Sequence, residues 1–369
     1  MHSILLLGAG KIGGAIAKLL AICGDYDVLV GDVNRDTLDR LPTGLPLRAM
    51  PVDVDDSSAL RKAMQGRSAV VSALAFDMNS TVAQAASEAG LSYFDLTEDV
   101  DTRRKVLQIS ESARAGQIFM PQCGLAPGFV SIAAFHLARQ FDTLDEVRMR
   151  VGALPKFPTN AMKYNLTWST DGLINEYGNP CEAIHNGQLI ETLPLEGLEH
   201  FSLDGINYEA FNTSGGVGTL CETLAGKVRS LNYKTIRYSG HREFMAFLMN
   251  ELRLNDRREL LKNVLETAVP ITLQDVVLIF CTVSGWKDGR LTQITDARKI
   301  YHGEIRDEPW SAIQLSTASG LCAVVDLHYA GKLPSTGFVR QEQVSFEAFL
   351  ANRFGRCYVS GLPELADKG

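Results

Sequence analysis

Apolar and polar positions follow two different rhythms along the chain. Up to about residue 125, short runs of consecutive apolar residues alternate with stretches whose apolar positions recur every three or four residues. Residues 4–7 form the first run, and Ile12, Ala15, Ile16, Leu19 and Leu20 follow at helical spacing. Further runs at 28–30, 69–74, 93–96 and 118–120, with a weaker one ending at Asp53, predict six strands in all. Helices are predicted between them over 36–41, 81–89 and 103–115. One more runs from an Asp56-Ser57-Ser58 cap through Leu60, Ala63 and Met64 to a stop at Gly66. Strands that are apolar throughout are covered on both faces, which implies a parallel sheet between helical layers. Right-handed crossovers then wind the sheet both ways from its first strand.

From about residue 145 the pattern changes. Val147, Met149 and Val151 alternate with charged residues, and 276–283 and 291–301 flank Lys287-Asp288-Gly289, a hairpin signal. An antiparallel sheet with one solvated face is expected. Residues 310–330 return to a largely apolar helical pattern ending near Gly331. The chain is therefore read as α/β. A Rossmann-type, doubly wound domain occupies 1–125, a second α/β domain 126–308, and a helical segment 309–369 is expected to pack back on the first domain.

Composition narrows the function classes. Hydrophobic residues make up 46% and charged residues 21%, the balance of a soluble, core-forming chain. The net charge is −7 with no basic run, which argues against nucleic-acid binding. The seven cysteines are scattered without a CxxC pair, so neither a disulfide framework nor a zinc site is expected, and the setting reads as reducing and cytoplasmic. No metal is expected. The apolar first 22 residues do not read as a signal peptide. Met1-His2-Ser3 lacks Lys and Arg, and glycines break the apolar run. No transmembrane helix or membrane role is expected.

Gly8-Ala9-Gly10-Lys11-Ile12-Gly13 is a GxGxxG placed between a strand and a helix, the context that gives the pattern meaning. Gly8 permits a tight turn, Gly10 lets the backbone approach a pyrophosphate, and Gly13 lets helix and strand pack closely. The helix N-terminus, with Lys11 and Ile12, then offers free N–H groups to the phosphates. Asp32 lies 24 residues after Gly8 at the end of the next strand. Its carboxylate suits ribose hydroxyls and opposes a 2′-phosphate, so NAD is favoured, while Arg35 keeps NADP open. Asp53 either reaches the adenine edge or caps a turn. Ala73, Leu74 and Ala75, with Phe76, are expected along the dinucleotide. Gly124, opening the Gly124–Gly128 loop, is expected near the nicotinamide.

Taken in order, the Rossmann start, Tyr93-Phe94-Asp95-Leu96-Thr97-Glu98, Gly124-Leu125-Ala126-Pro127-Gly128, Asn186-Gly187-Gln188, Thr213-Ser214-Gly215-Gly216 and the run from Tyr233 to His241 resemble the saccharopine dehydrogenase (reductase) family. Within that family they are most similar to the lysine 6-dehydrogenase branch. The resemblance covers residues 4 to about 330. It implies a Rossmann domain with an inserted α/β substrate domain built on a mixed sheet, and hydride transfer between nicotinamide and a carbon bearing nitrogen. The lysine 6-dehydrogenase branch implies NAD-dependent oxidation at the ε-amine of L-lysine with loss of ammonia. An NAD(P)H-dependent reductase of the saccharopine or carboxynorspermidine type is the alternative, and a dinucleotide-binding sensor without turnover is a third reading. A homodimer or homotetramer acting on a small amino-acid substrate is implied.

An amine must lose its proton before it gives up hydride, which calls for a base. His241, Glu98 and Lys163 are the candidates, with Lys234 as a further available type. The substrate carboxylate needs a cation or several donors. Arg237 is a candidate clamp, and Thr213, Ser214 and Gly215 offer hydroxyl and backbone donors. Glu98 or Asp99 meets the ammonium end, and Tyr164 and Asn165 are expected to line the pocket. Trp168, Trp286 and Trp310 are expected in the core.

Overall fold

A computed structural model describes residues 1–365 of the chain. They fall into two compact units, one of residues 1–129 together with those from 314 on, the other of residues 130–313. The divisions thus lie at 129/130 and 313/314 rather than at 125/126 and 308/309, and the C-terminal segment belongs to the first unit.

In that unit the order is β1 (His2–Leu7), α1 (Lys11–Cys23), β2 (Tyr26–Asp32), α2 (Arg35–Asp39), β3 (Leu47–Pro51), α3 (Ser57–Met64), β4 (Ala69–Ser72), α4 (Asn79–Ala89), β5 (Ser92–Asp95), α5 (Val100–Ser110) and β6 (Ile118–Met120). Every pairing is parallel, and the strands lie side by side as β6-β5-β4-β1-β2-β3. This is the doubly wound order, reversing beside β1. The segment read as wholly helical also supplies a strand, Gly337–Phe338, parallel to the outer edge of β6. One apolar layer gathers Leu5, Leu7, Val70, Tyr93 and Phe119 from the strands with Leu60, Val82, Ala86 and Val106 from the helices. Asp56 caps α3 by accepting from Ser58 and Ala59 N–H. Asp99 caps α5 by accepting from Thr102 N–H, so that helix starts at Val100 rather than near Arg103.

The second unit contains α6 (Phe129–Ala138), β7 (Thr143–Pro155), α7 (Thr170–Gly178), β8 (Cys181–His185), β9 (Gln188–Thr192), β10 (Glu199–Leu203), β11 (Ile206–Asn212), α8 (Leu220–Leu224), β12 (Val228–Tyr238), α9 (His241–Ala246), α10 (Arg258–Ala268), β13 (Asp275–Lys287) and β14 (Arg290–Tyr301). Its main sheet runs β10-β11-β12-β7-β13-β14, and β12 also pairs with β8 of the β8–β9 hairpin. Only β12 and β7 are parallel, so the sheet is mixed and largely antiparallel. Asp288 and Gly289 alone form the turn between β13 and β14, both with positive φ (52° and 73°), the geometry an Asp-Gly pair supplies. Trp310 is buried ahead of α11 (Ala312–Tyr329) and Trp168 is half-buried, but Trp286 is 50% exposed near the hairpin end and is not a core residue. No helix among the described residues is long and apolar enough to cross a membrane.

Candidate functional site

The glycine-rich loop joins β1 to α1. Gly8 has φ +95°, and a Cβ there would lie 2.7 Å from the Ala73 carbonyl oxygen. A Cβ on Gly13 would fall 1.9 Å from the Gly8 oxygen, so close packing of helix and strand requires glycine. Gly10 caps α1 without a side-chain bond, no acidic residue sits in the first turn, and space beside Gly10 is open. Lys11 is exposed and Ile12 half-buried there. An uncapped helix N-terminus behind a loop without side chains is a cradle that fits a pyrophosphate. Asp32, at the end of β2, accepts from Ala9 N–H through Oδ2 (2.7 Å) and from Asn34 N–H through Oδ1 (2.8 Å). Its carboxylate therefore also pins the loop. Asp53 lies beyond the end of β3, exposed, and accepts from Asp55 N–H (3.0 Å), which makes it a turn-capping residue.

Ala73, Leu74 and Ala75 follow β4 at the carboxyl edge of the same sheet. Beyond β5, the buried Asp95 ties two loops together. Its Oδ1 accepts from Thr97 and Gln122 N–H (2.9 Å each), and its Oδ2 accepts from the Tyr93 hydroxyl (2.7 Å). Burial pushes its carboxyl up to about 6 although all three bonds favour the charged form. Glu98 and Asp99 follow, both half-buried. Gly124 and Gly128 bridge each other, and a Cβ on Gly128 would fall 2.0 Å from the Gly124 oxygen. Cys123, between these loops, is buried, and burial pushes its thiol well above the usual range.

In the second unit, alternation along β12 separates the candidate cations. Arg237 pairs in register with Glu209 on β11, and Thr235 with Phe211, so these four share one face. Arg237 is 3% exposed. It donates through Nε to the Tyr177 hydroxyl (2.8 Å) and through Nη1 to the Ile236 carbonyl (2.8 Å). Its guanidinium lies 5.2 Å from the centroid of the Tyr164 ring and 5.8 Å from that of Tyr177. Among the described residues no carboxylate lies within ion-pair distance of it, although the charge of the buried Glu176 acts on it. Glu209, its cross-strand neighbour, instead accepts from Gly240 N–H (2.8 Å) and Arg242 N–H (2.6 Å) at the start of α9.

His241 opens that helix, 1% exposed. Its Nδ1 lies 3.0 Å from the Met162 carbonyl and its Nε2 3.2 Å from the Tyr177 hydroxyl. A carbonyl only accepts, so Nδ1 carries the proton, and Nε2 accepts a hydrogen bond from the Tyr177 hydroxyl. Burial, with the Arg237 charge second, lowers the imidazole to about 3. A neutral ring with both nitrogens engaged is suited to orienting Tyr177 and ill-suited to the general-base role expected of it.

Other expected residues are placed differently. Lys234 sits on the opposite face of β12, where its Nζ meets Glu199 Oε1 (2.6 Å), a carboxylate also bound by Arg150 through two bonds (2.8 and 2.9 Å). The two cations are buried around a half-exposed carboxylate, a cluster apart from Arg237. Lys163 is exposed, with φ +50°, and donates to the Ser239 carbonyl (2.9 Å). The backbone donors expected around Gly215 are largely engaged. Ser214 N–H binds the Glu176 carbonyl, Gly216 N–H that of Ser214, and Gly218 N–H that of Gly215. The Ser214 hydroxyl goes to Asn175 (3.3 Å). Thr213 Oγ1 and Asn165 Oδ1 are buried without partners among the described residues. Tyr164 is 1% exposed, and its hydroxyl receives the Trp168 indole N–H (3.2 Å). Tyr177, Glu209 and Gln122 were not singled out from the sequence, and Asp95 entered only within the Tyr93–Glu98 motif. Tyr177 and Glu209 sit in ordinary amphipathic patterns, and only the register across β11, β12 and α7 reveals them.

Comparison with known proteins follows the same division. Residues 4–120 match the saccharopine dehydrogenase NADP binding domain, so the cofactor class is a nicotinamide dinucleotide, and residues 124–354 match the saccharopine dehydrogenase C-terminal domain. The NADP(+), L-glutamate-forming saccharopine dehydrogenase of Schizosaccharomyces pombe is 24% identical over 268 residues, 68% of this chain and 58% of that protein. The corresponding protein of Saccharomyces cerevisiae is 24% identical over 273 residues, 69% of this chain and 59% of that protein. The chain thus spans less than two thirds of the length of these relatives. Among solved structures, apo saccharopine dehydrogenase (L-Glu forming) from Saccharomyces cerevisiae superposes with a TM-score of 0.76 at 17% identity, covering 93% of this chain and 94% of that one. Homospermidine synthase from Legionella pneumophila, solved in complex with NAD, gives 0.65 at 12% identity, covering 97% and 89%. With both domain models matched in order from residue 4 to residue 354, this chain belongs to the saccharopine dehydrogenase family.

Proposed function

We propose that this chain is a nicotinamide-dinucleotide oxidoreductase acting on a carbon–nitrogen bond of an amino acid, with Arg237 holding the substrate carboxylate. The state of Arg237 carries this reading. A guanidinium buried with no carboxylate in direct contact is costly, and cation–π attraction from Tyr164 and Tyr177, with the charge of the buried Glu176 beyond ion-pair distance, offsets only part of that cost. A planar carboxylate is the ligand that completes it. Glu209 leaves this role open because its oxygens are committed to α9. The Thr213 hydroxyl and the Asn165 carbonyl are further unpaired groups in the same unit, suited to the polar remainder of an amino acid.

The bound dinucleotide supplies the hydride chemistry. The chain supplies the rest. Gly8, Gly10, Gly13 and the α1 N-terminus hold the pyrophosphate, and Asp32 holds the ribose. A carboxylate at that position favours NAD, and with NAD the preferred reaction is oxidation at the ε-amine of L-lysine, in which Glu98 takes the amine proton. His241 stays neutral and fixes the Tyr177 hydroxyl, which in turn orients Arg237. A second reading is favoured by Arg35, exposed just beyond Asp32, and by the NADP specificity in the relatives' names. It is NADPH-dependent reductive coupling of an amino acid to an aldehyde, as in saccharopine formation.

The test is absorbance at the reduced nicotinamide band with L-lysine and NAD, saccharopine and NADP, and the reverse reactions. Turnover with an amino acid is expected. Replacing Arg237 by Gln should cut kcat/KM by roughly 30-fold, about 2 kcal/mol for a lost charged hydrogen-bond pair, with dinucleotide affinity unchanged. Glu98→Gln should lower kcat. Turnover that ignores Arg237→Gln would sink the carboxylate assignment, and tight dinucleotide binding without any turnover would point to a sensor.

A further inference from the structure

The loop after β6 holds a side chain for which the fold itself gives no reason. Gln122 is 2% exposed and has φ +65°, and its side-chain Nε2 is buried without a partner among the described residues. Glycine would adopt that backbone without strain, and an unpaired buried amide is an unfavourable group to keep. The backbone around it is nevertheless held from three directions. Gln122 N–H donates to Asp95 Oδ1 (2.9 Å), Cys123 N–H to the Asp95 carbonyl (2.9 Å), and Gln341 Nε2 to the Pro121 carbonyl (2.9 Å). A position so firmly fixed, yet with an unsatisfied side chain, is built for a ligand.

Its place in the sheet says which one. Gln122 lies past the carboxyl end of β6, two residues before Gly124. A dinucleotide with its pyrophosphate over the α1 N-terminus and its adenosine ribose at Asp32, on β2, extends its other half across the ends of β4, β5 and β6, on the far side of β1. We propose that the Gln122 side-chain amide binds the carboxamide of the nicotinamide. An amide presents one N–H edge and one C=O edge, and so does a carboxamide, so the two pair head to tail through two hydrogen bonds. Such a pair stops the ring turning about its bond to the ribose and so selects the face that exchanges hydride. Asp95 acts one step behind, holding the Gln122 backbone. The assignment rests on the dinucleotide reading above.

The experiment measures affinity of the intact protein for NADH and NADPH, and for their nicotinamide-free counterparts ADP-ribose and 2′-phospho-ADP-ribose. Gln122→Met keeps the side-chain length without the amide. Gln122→Asn tolerates the left-handed backbone well but shortens the amide by a methylene. Both variants should bind the preferred reduced dinucleotide about tenfold more weakly, the loss of roughly two neutral hydrogen bonds. Both should keep the affinity for the nicotinamide-free counterpart within about twofold of wild type. An equal loss for both ligands would show a structural role and overturn the assignment, as would unchanged affinity for the dinucleotide. Wild-type protein that binds neither NADH nor NADPH would overturn the dinucleotide reading and this assignment with it.

Discussion

Lys234 and Arg237 stand three residues apart on one strand, and the odd spacing sends them to opposite faces of the sheet. Lys234 is absorbed by Glu199 and Arg150, while Arg237 reaches Tyr177 and, through it, His241. The His241 environment has a measurable signature. Its folded pKa, about 3, lies below the ordinary value of 6.5, so between those values the unfolded chain binds the extra proton. Its contribution to stability is therefore present in full above pH 6.5 and is lost as pH falls toward 3. The stability advantage of wild type over His241→Gln should shrink by about 2 kcal/mol between pH 7 and pH 5. It is read as a difference in denaturant midpoints because Asp95 and Asp275, raised to about 6, change stability in the opposite direction. An unchanged gap would mean that the ring is charged in the fold. At this scale the glycines of the first loop and Asp32 were legible, because their chemistry lies in contiguous residues beside one strand. His241 and Lys163 could be nominated by residue type, but their bonding to Tyr177, Met162 and Ser239 depends on segments dozens of residues away. Gln122 was invisible, since its backbone angle and its missing partner have no sequence pattern.

Among the elements, α9 depends most on a neighbour. It has six residues, and Gly240, before it, is left-handed at φ 100° and offers no side-chain cap. Glu209, reaching from β11, satisfies two of its backbone N–H groups instead. Replacing Glu209 by Ala should cost about 2–4 kcal/mol in urea unfolding, two buried donors left unpaired. Glu209→Gln, which keeps one acceptor, should cost roughly half as much. Equal, negligible losses would show that α9 holds itself. Most strand and helix positions in the first unit followed from the apolar runs, because β1, β2, β4, β5 and β6 are buried along most of their length and α2, α3 and α5 carry side-chain caps. β12 was harder to read. It pairs with β11 along one stretch and β8 along another, and is parallel to β7, with partner residues that lie between Leu144 and Asn212.

For the molecule as a whole, the first unit is discontinuous. Residues after 313 supply the outer strand beside β6, the Gln341 bond to Pro121, and Phe346, Phe349 and Tyr358, whose rings pack on Phe129. A chain cut after Ala330 should lose protease resistance in residues 1–129, with fragments from 130–313 persisting longer. Equal resistance of both units would show that the closing segment is dispensable. The same arrangement sets an order of events during synthesis. Residues 130–313 are contiguous and have their whole sheet once they leave the ribosome. The nucleotide-binding unit starts first but waits for residues 337–341, so the usual head-to-tail order of folding is reversed. Affinity for the dinucleotide is then acquired last, after the second unit has completed its own sheet.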